Sequence, residues 1–261
     1  DAFASLPDLK ASEVLILAPD LDTYGPLAEA VLTTGNPTLP LRLSERRLDR
    51  RDPLVRGLQL LLSLAAGRAP LSEGLALLEL PAVSDCVGAL GTDPETLADR
   101  LRASGITWGL NAKHRRALDA GSQDTGTWRA GLDRLLAGLW LGDADAASDA
   151  EHQPALPVAG DLGGDPASMS ASLDWLDGLV QLLEAWQSPA SPGQWAERMD
   201  QALDQILGAS EGKADPAAAV DLIDQLRAAQ TEHACDLPME AAAVADWLDR
   251  AAQDEVRGVT R

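Results

Sequence analysis

The sequence predicts a mainly α fold with a small α/β portion near its start. A strand-like, then helical, then strand-like pattern occupies residues 14–43. From Pro53 almost to the end, apolar residues recur at helical spacing, and Ser, Asp and Pro stand where helices should begin.

In order, Val14-Leu15-Ile16-Leu17-Ala18 is a continuous apolar run closed by Pro19-Asp20, the mark of a strand buried on both faces. Tyr24 to Leu32 is helical, with Leu27, Ala28, Val31 and Leu32 on one face, until Gly35-Asn36-Pro37 breaks it. Leu39–Leu43 reads as a second short strand. Strand, helix, strand is the minimal unit of an α/β sheet, and with no further strand legible that sheet is expected to be incomplete here.

Leu54, Leu58, Leu61, Leu62 and Ala65 mark a helix that apolar residues nearly surround, as for a central element. Thr92-Asp93-Pro94-Glu95 reads as a capping box opening a helix through Leu97 and Leu101 that stops near Gly105. Trp128, Leu132, Leu135, Leu136 and Leu139 keep a helical rhythm. Residues 142–165 carry six acids and neither Lys nor Arg, which suits a solvated linker. A further helix follows through Leu173, Leu176, Leu179, Val180, Leu183 and Trp186. Ser191-Pro192-Gly193-Gln194 then caps one bearing Trp195, Met199, Leu203, Ile206 and Leu207. Asp215-Pro216 opens another with Val220, Leu222, Ile223 and Leu226, and Pro238 is expected to start the last, with Val244, Trp247 and Leu248. The division expected is 1–52 for the α/β part and 53–261 for the helical part, with the acidic linker at 142–165.

The formal net charge is −20, from 41 acids against 21 Lys plus Arg. Such a field repels phosphate, so generic wrapping of nucleic acid is disfavoured and any contact needs a local basic patch. That patch is Arg42–Arg56, where Arg42, Arg46, Arg47, Arg50, Arg51 and Arg56 face only Glu45, Asp49 and Asp52. One reading is contact with a phosphate or an acidic partner through the arginine fork; the other is pairing with acids of this same body.

Other chemistry is thin. No GxxxxGK[ST] occurs, and Gly160–Gly164 lacks the strand a phosphate loop needs. His114, His152 and His233 are scattered, and His233 with Cys235 cannot close a four-ligand zinc site. Asp143 and Asp145 sit in an Ala-rich loop, and Ser84-Asp85-Cys86 holds a thiol without a base beside it. Trp128, Trp175, Trp186 and Trp247 fall on apolar helical faces, where core anchoring is the default. Two distant cysteines and the lack of a signal-like or membrane-spanning run point to the cytoplasm, with no membrane contact. The chain starts at Asp1, not Met, and is expected to be a piece of a longer one.

Four blocks in order carry a family resemblance. VLILAPDLDTYGPLAEAV at Val14–Val31 is similar to the RecC family's VMxPDIDxYxPxIxAV, and Leu78–Val83 to its LLEVPAV. SGITWGLNAKH at Ser104–His114 resembles AGIRWGLDxxxR, and TWRAGLDRLL at Thr127–Leu136 resembles TWRFGLxRLLLG. Thr107 departs from an arginine and Ala130 from a phenylalanine.

RecC is the gamma subunit of bacterial exodeoxyribonuclease V, so the resemblance implies a helicase-like body whose motor parts have decayed. Residues 1–52 then look like the start of a second RecA-like (2A-like) domain, and 53–261 like the helical (2B-like) domain inserted in it. Pro19 stands where an active motor would carry its phosphate-sensing arginine. The resemblance further implies no enzyme activity and no cofactor for this piece. ATP and Mg would serve partner subunits, the RecB-type beta and RecD-type alpha chains, with DNA engaged by the whole complex. Its role would be double-strand break repair by homologous recombination, through scaffolding and strand channelling. The rival reading is an autonomous acidic helical adaptor.

Overall fold

The structure is a computed structural model that describes Val14, Tyr24, Leu27, Ala28, residues 30–32, and residues 52–141, 165–208, 214–233 and 236–258. The chain divides into two units, residues 1–47 with 255–261, and residues 48–254. In the first, Tyr24, Leu27, Ala28, Ala30, Val31 and Leu32 are helical, as their spacing predicts. Apart from Val14, which is described and not in a strand, both expected strands lie outside the described residues, as do Arg42, Arg46, Arg47, Arg50 and Arg51, residues 142–164 with their Asp143, Asp145, His152 and Gly160–Gly164, and Cys235.

The second unit is helical. Among the described residues there is no strand, only isolated bridges pairing Pro70 with Trp108 and Ala190 with Met239. The described helices from Pro53 onward are α1 (Pro53–Ala66), α2 (Leu71–Leu78), α3 (Pro81–Ala89), α4 (Pro94–Ala103), α5 (Ala112–Ala117), α6 (Trp128–Leu141), α7 (Pro166–Ala185), α8 (Pro192–Gln205), α9 (Ala217–His233) and α10 (Ala241–Gly258).

α1 is the central element its composition predicts. Asp52 caps it by accepting the Leu54 and Val55 amides, and Leu54, Val55, Leu58, Leu61, Leu62 and Leu64 are fully buried. It touches α2, α3, α7, α8 and α9, so its apolar residues find partners on nearly every side. Buried leucines of this kind each contribute about 1.5–3 kcal/mol through area removed from water. Tryptophan supplies the bulk that phenylalanine usually provides. Trp186 and Trp195 meet edge to face with ring centroids 5.5 Å apart, a favoured quadrupole geometry.

Four helix boundaries differ from expectation. The cap of α4 is Asp93, whose carboxylate accepts the Thr96 amide at 2.9 Å, and not a Thr92–Glu95 box. Thr92 is instead committed across the molecule, donating its hydroxyl to the Ser168 carbonyl at 3.1 Å. Asp165, taken from sequence as linker, is the cap of α7. Asp215 does accept the Ala217 amide at 3.1 Å, but α9 begins at Ala217. The last helix starts at Ala241 and not at Pro238, because Met239 is held extended by a two-way backbone bridge to Ala190, at 2.8 and 3.1 Å. The Ser191–Gln194 capping box of α8 forms as read. Leu136 and Val220, placed by spacing on inward faces, are both more than a third exposed.

Candidate functional site

Of the arginine-rich arm, only Arg56 is described; it lies exposed in the first turns of α1. Among the described residues, nothing brings it into a cluster with the candidate thiol. Cys86 lies on α3, half buried against Gly208. Among the described residues no three His, Cys, Asp or Glu side chains come together as a metal site would need.

Among the described residues, a dense polar arrangement sits where the loop after α1, the turn before α5, α5 itself and the loop into α6 converge on Trp108. Asn111 caps α5 by accepting the His114 amide at 2.9 Å, and its own amide donates to Glu184 on α7 at 2.6 Å. That fixes the short helix so that Arg115 points inward. Arg115 is buried, stacks over Trp108 with its guanidinium carbon 4.5 Å from the ring centroid, and binds three carbonyls. These are Gln123 at 3.0 Å, Thr125 at 2.7 Å and Trp108 at 2.8 Å. One cation thereby gathers three backbone acceptors and ties the loop into α6 to the turn before α5.

Gly109 makes that approach possible. Its φ is +82°, and an added Cβ would meet Arg115 side-chain atoms at 3.0 Å. The Gly109 amide in turn binds the Arg68 carbonyl at 2.8 Å, tying the loop after α1 into the corner. Trp128, the first residue of α6, closes it from beneath by donating its indole N–H to the Ala69 carbonyl at 2.9 Å. His114 is buried and accepts the Leu110 amide on Nδ1 at 3.1 Å. Burial pushes its pKa below the ordinary range, against a smaller opposing effect from a Gly67 backbone hydrogen bond. The neutral imidazole therefore belongs to the folded state.

Outside this interior lies a set of cations with a different character. Arg68 reaches over Trp108 at 5.6 Å, and Lys113 and Arg116 stand exposed on α5. Several other arginines of the body are committed: Arg129 to Asp177 and Glu184, Arg227 to Asp200 and Asp224, Arg134 to the Ser104 carbonyl.

Two of the four blocks noted above, 104–114 and 127–136, build this corner. The comparison with protein families places it: the model for the "RecBCD enzyme subunit RecC fourth domain" matches residues 51–255. The chain belongs to the RecC family. The RecBCD enzyme subunit RecC of Mycobacterium tuberculosis (strain CDC 1551 / Oshkosh) is 27% identical over 215 residues, covering 79% of this chain and 19% of that protein. The RecC of Escherichia coli K12 is 30% identical over 191 residues, 69% of this chain and 17% of that protein. That of Mycolicibacterium smegmatis is 32% identical over 154 residues, 52% of this chain and 14% of the relative. The chain thus spans less than a fifth of the length of these RecC relatives.

RecC membership also explains what tryptophan-by-tryptophan reading misses. Trp108 is not on a helix, so helical register never flags it. The family pattern AGIRWGLDxxxR ends in an arginine that falls one residue past His114, on Arg115, and that was the available signal. Thr107, at the pattern's arginine position, lies exposed and donates its hydroxyl to the Gly126 carbonyl at 3.1 Å.

Proposed function

We propose that this chain is a non-catalytic structural piece of a RecC-type gamma subunit, working within a RecBCD helicase and nuclease in double-strand break repair and homologous recombination. The match of residues 51–255 to the fourth RecC domain carries this reading. The use made of the buried polar groups supports it. Arg115, His114 and Thr127 each bind backbone that closes a loop, so interior polarity serves shape. The role follows: a rigid body that holds the RecB-type and RecD-type partners in the cytoplasm and guides DNA strands between them. ATP and Mg are used by those partners and not here.

In this reading residues 1–52 begin a RecA-like (2A-like) domain and 53–261 form the helical 2B-like domain inserted in it. Isothermal titration of the chain with ATP and Mg tests the non-catalytic role; the expected result is no heat of binding at micromolar ligand, and micromolar binding of either overturns it.

The arm of Arg42, Arg46, Arg47, Arg50, Arg51 and Arg56 belongs to the same proposal as a contact with phosphate or an acidic partner surface. Charge reversal at Arg46, Arg47, Arg50 and Arg51 is expected to weaken assembly or DNA engagement of the full complex. Full activity with those reversals in place contradicts that role.

A further inference from the structure

His114 lies buried on α5 and joins segments that share no helix. Its Nδ1 accepts the Leu110 amide at 3.1 Å, in the turn before α5. Its other ring nitrogen donates to the Gly67 carbonyl, at the end of α1. Leu110 is fully buried, and its own carbonyl accepts the Arg129 amide at 2.9 Å, in the first turn of α6. One imidazole thus links the end of α1, the turn before α5, α5 itself and, through Leu110, the start of α6. Only the neutral ring can do this, because it must offer one acceptor and one donor at once.

A second ring proton breaks the arrangement. It would set an Nδ1–H against the Leu110 N–H, and that buried amide would lose its acceptor with no water to turn to. The charged groups around the ring give no relief. Arg68 follows Gly67 on the loop after α1, and Lys113, Arg115 and Arg116 share α5 with His114. The carboxylates of neighbouring elements are bonded elsewhere: Glu73 on α2 to Ser63, Asp177 and Glu184 on α7 to Arg129, and Asp124 on the loop into α6 to the Ala112 amide and Thr127. Asp119 is exposed on that loop. Burial disfavours the charged ring more strongly than the Gly67 carbonyl favours it. We propose that His114 is a proton-operated latch: uptake of a second ring proton from solvent releases the Leu110 amide and opens the junction of α1, α5 and α6, while α8 and α9 stay folded. The junction consists of a six-residue helix and tied loops, which open at lower cost than long packed helices. α8 and α9 pack on each other and on α1. The latch follows from the fold and does not depend on the role proposed above.

Hydrogen–deuterium exchange of the intact chain tests it, followed from about pH 7.5 to about pH 5 and corrected for the intrinsic pH dependence of exchange. A segment spanning residues 107–118 is compared with one spanning 195–206 in the same sample. Below about pH 6.5, uptake at 107–118 is expected to rise by up to about tenfold per pH unit while 195–206 stays protected. His114→Gln carries no titrating group there and should hold uptake at 107–118 constant across the range. Uptake at 107–118 that ignores pH, or that rises only in step with 195–206 as the whole fold is lost, overturns the latch. So does a His114→Gln chain that keeps the wild-type pH dependence. If that variant does not fold, the comparison of the two wild-type segments decides alone.

Discussion

At the scale of single residues, the account rests on polar groups placed where only one geometry satisfies them. Arg115 illustrates it: a lysine offers a point charge and cannot reach three carbonyls while lying flat on Trp108. His114 gives this a measurable sign. Its folded-state pKa lies below its ordinary value, so the neutral ring's contribution is complete above about pH 6.5 and is lost as pH falls from there toward the folded pKa. Thermal melts of the chain should therefore show stability declining as pH drops below about 6.5, and His114→Gln should flatten that decline. A decline of the same steepness in the variant would contradict the assignment. The residue scale was also where sequence spoke least. A buried histidine, an inward arginine and a Trp on a loop have no periodicity, and only the block pattern ending at Arg115 hinted at them.

At the scale of elements, legibility was high because helix signals are local. The α1 stripe and the Ser191–Gln194 box both formed as their residues dictate. The failures came where a residue with good local credentials was claimed by a distant partner. Thr92 was taken by Ser168 and Met239 by Ala190, and neither competitor is visible within a short window. Helix contacts give a paired prediction. A Cβ at Gly74 on α2 would run into the Trp128 ring, whereas one at Gly178 on α7 would meet nothing within 4 Å. Gly74→Ala should destabilise by roughly 1–3 kcal/mol through overpacking. Gly178→Ala should stabilise by about 0.5–1 kcal/mol, since Ala loses less backbone entropy than Gly in a helix. Urea denaturation of the two variants measures both. Equal effects of either sign would mean that α2 and α6 do not pack as closely as described.

At the scale of the whole molecule, a helical body with an acidic exterior and loops tied by buried cations is suited to hold a shape. Periodicity and caps made the fold class of residues 53–258 readable, while the family came from four blocks that physics alone does not require. The role proposed for the chain came only through that family, because a surface working by contour would leave no catalytic spacing in the sequence.

The central claim is that this body serves a multi-subunit machine, and co-purification of the intact parent subunit with its RecB-type and RecD-type partners tests it most directly. The account predicts a single assembly containing all three chains that unwinds duplex ends. A parent subunit that elutes alone in the presence of both partners would contradict it.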